Sequence, residues 1–182
     1  MTAAAPALTT WTIDASHSEV GFAVKHLMIA TVRGRFGSVA GTVTFADGDY
    51  SQARADVTID AASIDTREDK RDAHLRSADF FDVERFPSLA FTSRRVDATQ
   101  GDRFQLVGDL TIRDVTREVA LDVTVEGFQK DPWGNQKAAF TATTTISRTD
   151  FGLTWNTALE TGGVLVGDDV KISLDVQLLK TA

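Results

Sequence analysis

Ser63–Phe91 reads SIDTREDKRDAHLRSADFFDVERFPSLAF, and it is the one stretch of the chain in which apolar and polar side chains stop alternating with a period of two. From Thr66 to Arg76 the residues are mostly charged and mostly good helix formers. Asp65 and Thr66 stand as N-cap candidates, and Glu68 follows Asp65 by three positions, the spacing of a capping box. The stretch therefore predicts one inserted helix over residues 66–76. Ala73 and Leu75 among charged neighbours predict one-sided burial, with Leu75 and the aromatic pair Phe80-Phe81 docking the helix against one end or side of the fold. Phe86-Pro87 then sets an extended approach to the next strand, because proline disfavours the helical region for the residue before it.

Outward from this insertion the period is two. Val20, Phe22, Val24 and His26 share one face of a strand, and Val39, Gly41, Val43 and Phe45 share one face of another. The same pattern runs through 55–59, 89–91, 104–112, 119–125, 140–146 and 170–178. That makes eight strands, with Trp11–Asp14 a candidate short ninth. Asp47-Gly48, Gln100-Gly101 and Pro132-Trp133-Gly134-Asn135 supply the turn chemistry between them. Connections this short make hairpins, so the sheet is expected to be antiparallel and mostly up-and-down. So many one-faced strands either close on themselves or pair into a sandwich. Strands of eight or nine residues suit tilted packing in a closed barrel and favour closure, and an eight-stranded barrel has an interior able to hold one small ligand. The expected fold is all-β: an eight-stranded antiparallel barrel with one helix. Residues 1–10 are expected to be a flexible N-terminal extension and residues 11–182 a single domain.

Composition narrows the function classes. The 182 residues carry no cysteine, which excludes a disulfide framework and a thiolate metal site. A formal net charge of -7 leaves no basic footprint for nucleic acid and disfavours attraction to an anionic membrane. No apolar run approaches the ~18–20 residues of a membrane-spanning helix. The amino terminus MTAAAPALTTWTID has neither the charged nor the apolar region of a secretory signal, so a soluble cytoplasmic protein is expected, or a periplasmic or secreted one if a signal has been removed.

Four blocks in order, WTIDASHSEVGFAVKHLMIATVRGRFGSVAG, SIDTREDKRDAHLRSADFFDVERFPSLAFTS, GDLTIRDVTREVALDV and ISRTDFGL, resemble the successive signatures of the YceI-like family across residues 11–179. The resemblance implies a lipocalin-like barrel with a long apolar tunnel, an isoprenoid chain or similar amphiphilic lipid inside it, and a homodimer. The inward faces name the candidate ligand contacts: Val20, Phe22, Val24 and His26; Val43 and Phe45; Phe91; Phe104 and Leu106; Phe140, Ala142 and Thr144; Ile172 and Leu174. Gly41, Gly108, Ala142 and Thr144 are small residues on those faces and are expected to leave room for a ligand. Off those faces, Val107, Trp133 and Trp155 are expected to form an exposed apolar patch that supports the dimer.

Catalytic patterns are missing. There is no nucleophile elbow, phosphate loop, dinucleotide fingerprint or His-Glu-x-x-His, and Asp47-Gly48-Asp49 reads as a turn, not a calcium loop. No cofactor or metal is expected. The three histidines share no ligand spacing: His17 reads as a hydrogen-bonded turn residue, His74 lies on the helix, and His26 is either a satisfied core histidine or a contact for a ligand head group. Arg33, Arg35 and Arg148 could meet a ligand oxygen or pair with Asp150, Asp82 or Glu84 at the rim. Asp82, Glu84 and Arg85 lack a nucleophile to serve as acid and base. The expected function is non-catalytic carriage of a polyisoprenoid, an isoprenoid quinone or a similar lipid. An enzyme acting on such a molecule in the same cavity is the alternative.

Overall fold

The computed structural model describes residues 5–181. The alternating segments become eleven antiparallel strands: β1 Leu8–Ile13, β2 Glu19–His26, β3 Ala30–Phe36, β4 Val39–Ala46, β5 Asp49–Asp60, β6 Ile64–Asp65, β7 Ser88–Gln100, β8 Arg103–Ile112, β9 Val115–Lys130, β10 Gln136–Ser147 and β11 Val166–Lys180, with the helix α1 at Asp69–Arg76. Around the wall the order is β1-β4-β5-β7-β8-β9-β10-β11, and β11 pairs back onto β1 to close the ring. The wall has the eight strands expected, but β1, read from the sequence as a candidate short ninth, stands in the ring in place of β2.

The strands outside the ring extend it. The C-terminal end of β11 pairs with β1, as in Ile13↔Leu178, and its other end pairs with β2, as in Val20↔Leu174. β1 and β2 thus run along β11 as one strand interrupted by the turn Ala15–His17, where Asp14 accepts a hydrogen bond from the Ser16 backbone N–H. β3 and β4 run opposite them and break at Gly37-Ser38. β3 was absent from the strands read from alternation because TVRGRFG offers few apolar residues to a period count. β1 begins at Leu8, so Leu8, Thr9 and Thr10 are paired with β4 and lie in the wall, not in an extension.

Asp47-Gly48, Gly101 and Trp133-Gly134 make hairpin turns, with Gly48, Gly101 and Gly134 at positive φ as their turns require. Gly41 and Gly108 serve another purpose than leaving room for a ligand. A Cβ at Gly41 would run into the Asp56 carbonyl oxygen, and one at Gly108 into the Thr92 carbonyl oxygen and Ser93 Cα. Both glycines permit close backbone approach.

The helix starts later than its composition predicts. Glu68 is its N-cap, its carboxylate accepting from the backbone N–H of Lys70 and Arg71 at 3.3 and 2.6 Å. Asp65 instead accepts from the Arg67 N–H, and Arg67 adopts a φ of 63°, which cannot continue a right-handed helix backwards. Thr66 is buried and gives both its N–H and its hydroxyl to Asp72, the buried residue of the helix; Ala73 is exposed. Local polar bonding, not an apolar stripe, therefore fixes the first turn.

Val107, Trp133 and Trp155 form no common patch. Val107 is buried, Trp133 is exposed in the β9–β10 turn, and the half-buried Trp155 stands with its ring 4.7 Å from His74 and 5.4 Å from Phe80.

Candidate functional site

Alternation on every wall strand sends one set of side chains inward, and these enclose a cavity of about 260 Å³. Thirteen of the candidate residues line it: Val20, Phe22 and Val24 from β2, Val43 and Phe45 from β4, Phe91 from β7, Phe104 and Leu106 from β8, Phe140, Ala142 and Thr144 from β10, and Ile172 and Leu174 from β11. His26 does not. Val24 is the last lining residue of β2; His26 sits one inward step further on and is not among the lining residues, although its β11 partner Val166 is.

One end is plugged by stacked aromatic rings. Trp11 lies parallel to Phe45 at 5.2 Å and Tyr50 parallel to Phe104 at 5.3 Å, with Phe45 bridging the two pairs and Phe140 closing against both Phe45 and Tyr50. Burial, followed by the charges of Asp102 and Asp47, pushes the Tyr50 phenol up and keeps it neutral. Tyr50 escaped the sequence reading because it stands directly after the Asp47–Asp49 turn, ahead of the recognised alternation.

The other end is covered by the inserted segment and by residues 148–166. Leu75 from α1, Phe80 and Phe81 after it, and Leu153 line the cavity there. Phe81 meets Phe36 edge-on at 5.6 Å, and Phe36 touches Phe22 at 5.8 Å. Gly34 makes this possible, since a Cβ there would strike the Phe22 ring. His74, hydrogen-bonded to Asp79 at 2.8 Å, packs edge-on against Phe80 and Trp155 and so joins the helix to the 148–166 segment.

Arg148 decides the shape of that second segment. Its alkyl stem lines the cavity while its buried guanidinium donates to the carbonyls of Leu153 (2.7 Å), Gly167 (2.8 Å), Trp155 (3.0 Å) and Val166 (3.3 Å). Its carboxylate neighbour is Asp168 at 3.5 Å, in place of the Asp150, Asp82 or Glu84 considered from the sequence. Burial pulls the guanidinium down from its usual range and Asp168 opposes that, leaving a cation fully engaged with the backbone. Arg35 pairs with Glu19 and Asp65 on the surface, Asp82 pairs with Arg85, and His17 bonds Asp14 within its turn.

Apart from Tyr50, Thr144 and Arg148, the lining side chains are aliphatic or aromatic, with Gly21 the remaining residue. Such walls remove apolar carbon from water.

A closed antiparallel ring of eight strands around an apolar cavity, with a single helix over one end, defines a lipocalin-like β-barrel. The chain belongs to the YceI-like family, whose YceI-like domain matches residues 11–178. A UPF0312 protein of Staphylococcus aureus (strain bovine RF122 / ET3-1) is 39% identical over 171 residues, which cover 93% of this chain and 97% of that one. Among solved structures, a Campylobacter jejuni YceI protein matches with a TM-score of 0.74 at 30% identity, over 87% of this chain and 90% of its own. Burkholderia cenocepacia BcnA reaches a TM-score of 0.79 at 24% identity, over 91% and 98% of the two chains. A polyisoprenoid binding domain from Saccharophagus degradans reaches 0.71 at 15% identity, over 95% and 99%. At those identities the last two show a shared fold.

Proposed function

We propose that this protein binds and carries, without chemical change, one long apolar amphiphile such as a polyisoprenoid or isoprenoid quinone, its chain lying in the barrel. The observation that carries this reading is the lining of the cavity: carbon on every wall, with the one charged group, Arg148, already donating to four backbone carbonyls. Each buried methylene contributes roughly 0.8 kcal/mol, so about 15 carbons contribute a gross ~12 kcal/mol before the costs of association and ordering. Apolar burial alone therefore suffices for useful affinity. The Saccharophagus degradans domain of the same fold, described as polyisoprenoid binding, supports the ligand class. An enzyme in this cavity would need His26 or an arginine at the ligand, and His26 lies outside the lining set.

Native mass spectrometry of purified protein, followed by organic extraction, tests the reading. One unchanged lipid at near stoichiometry supports carriage. A turnover product, or a cavity that never retains an apolar chain, overturns it. The homodimer implied by the family resemblance belongs to the same proposal, and sedimentation giving a monomer at tens of micromolar protein removes it.

A further inference from the structure

We propose that the β2–β3 hairpin tip docks this protein onto a lipid bilayer carrying anionic headgroups. The tip places Leu27, Met28 and Ile29 in water with exposures of 41%, 60% and 84%, and Val164 beside them at 39%. Leu27 and Met28 both adopt left-handed backbone, with φ of 53° and 62°, a conformation strained for large side chains of this type. Three consecutive apolar residues are thus held outward on a strained turn, where a soluble hairpin would carry Asn-Gly. The turn is anchored from the neighbouring segment: the Leu27 N–H donates to the Leu165 carbonyl at 2.8 Å, and Met28 lies so close over Gly163 that a Cβ there would meet its sulfur.

Charge complements the apolar tip. In a chain of net charge -7, residues 20–46 contain no aspartate or glutamate and hold Lys25, Arg33 and Arg35. Arg35 is neutralised by Glu19 and Asp65. Arg33 and Lys171 flank Ala23 from either side, and Lys25 follows Ala23 two positions nearer the tip, so these three cations share one outer face of the sheet. All three are exposed, and among the described residues none makes an ion pair; Lys25 bonds the Thr31 hydroxyl. The carboxylates nearest this face are Glu19, which pairs with Arg35, and Asp122, both in the surface pocket that Arg33 and Lys171 share; Asp168 faces Arg148. An apolar tip with basic shoulders fits acyl chains below and anionic headgroups beside it.

The tip also stands beyond Val24 and Val166, at the cavity end covered by Phe81 and Leu153. Docking there would present that end to the membrane, a role in ligand exchange that rests on the carrier reading above; docking itself does not.

Cosedimentation of the full chain with phosphatidylcholine vesicles and with vesicles containing phosphatidylglycerol tests the proposal. Binding is expected to favour the anionic vesicles, to fall as salt rises, and to drop tenfold or more in Ile29→Asp, whose exposed position spares the fold. Lys25→Gln and Lys171→Gln are each expected to weaken binding to anionic vesicles about fivefold and leave phosphatidylcholine binding unchanged. Equal, weak partitioning of the wild type onto both vesicles, unaltered by Ile29→Asp, overturns the proposal. So does a change of oligomeric state in Ile29→Asp without vesicle binding by the wild type, which would make the tip a contact with a second copy. Extractable lipid without vesicle binding defeats docking and leaves carriage standing, whereas vesicle binding without a retained chain does the reverse.

Discussion

Replacing Arg148 by Met keeps an unbranched apolar stem of similar reach in the cavity wall and removes every hydrogen bond its guanidinium donates. Four carbonyls lose that donor, those of Leu153, Trp155, Val166 and Gly167. Val166 retains the Asn156 side-chain amide at 2.7 Å, so at most three are stranded. A bond from a charged donor contributes about 1.5–3 kcal/mol net, and the contributions of one side chain overlap, so the loss is placed at about 3–5 kcal/mol. In a chain of this size each kcal/mol moves the melting midpoint by about 2–4 °C, which sets a fall of roughly 6–20 °C. Urea and thermal unfolding followed by circular dichroism measure it, and hydrogen exchange is expected to show the loss of protection concentrated in residues 153–167. Arg148→Lys should recover only part of the stability, because one ammonium cannot reach in four directions as the planar guanidinium does. A loss below about 1 kcal/mol, or recovery by Lys to the wild-type value, would refute the assignment of Arg148 as the clamp of this segment.

Ala142→Trp should fill part of the cavity between Val123 and Leu174, expel the bound chain and cost no more than about 1–3 kcal/mol of stability; extractable lipid at the wild-type level would contradict the tunnel. His26→Leu should leave lipid binding unchanged, and a weakened complex measured by native mass spectrometry would restore a head-group role to it. Gly108→Ala should destabilise by several kcal/mol in urea titration, since its Cβ would meet β7 backbone, and a neutral outcome would show that the strands separate freely there. The Lys137 ammonium at 2.8 Å, then Ser16 and His17, hold the Asp14 carboxyl well below the usual carboxylate range. A lowered folded-state proton affinity means that this contribution is complete above the unfolded value near pH ~4 and is lost as pH falls below it. Asp14→Asn should therefore cost about 1–2 kcal/mol at pH 7 and converge with the wild type in acid; a constant difference down to low pH would assign the loss to packing.

Period-two alternation determined an all-β antiparallel fold because a strand with one apolar face must bury that face; it left a sandwich open beside the barrel, and strand length favoured closure. Alternation also determined thirteen cavity positions, since inward direction follows from parity alone along β2, β4, β7, β8, β10 and β11. Parity cannot say where a wall ends. His26 has the inward parity of Val24 and is not among the lining residues, although its partner Val166 on β11 is; only the tertiary structure shows this. Small size in a strand was equally ambiguous: Ala142 borders the cavity, whereas Gly41 and Gly108 are small because a neighbouring backbone occupies the space a Cβ would take. The start of α1 was decided by Asp72 reaching back to Thr66, and the role of Arg148 by carbonyls from four residues that chain folding brings around one guanidinium. The sequence by itself thus determined the properties carried by period and composition: an all-β antiparallel fold, an apolar interior and a single helix. Only the tertiary structure decided where the cavity stops, which residues plug and cover it, and what the buried arginine holds, because each of those depends on distances between residues that no local pattern relates.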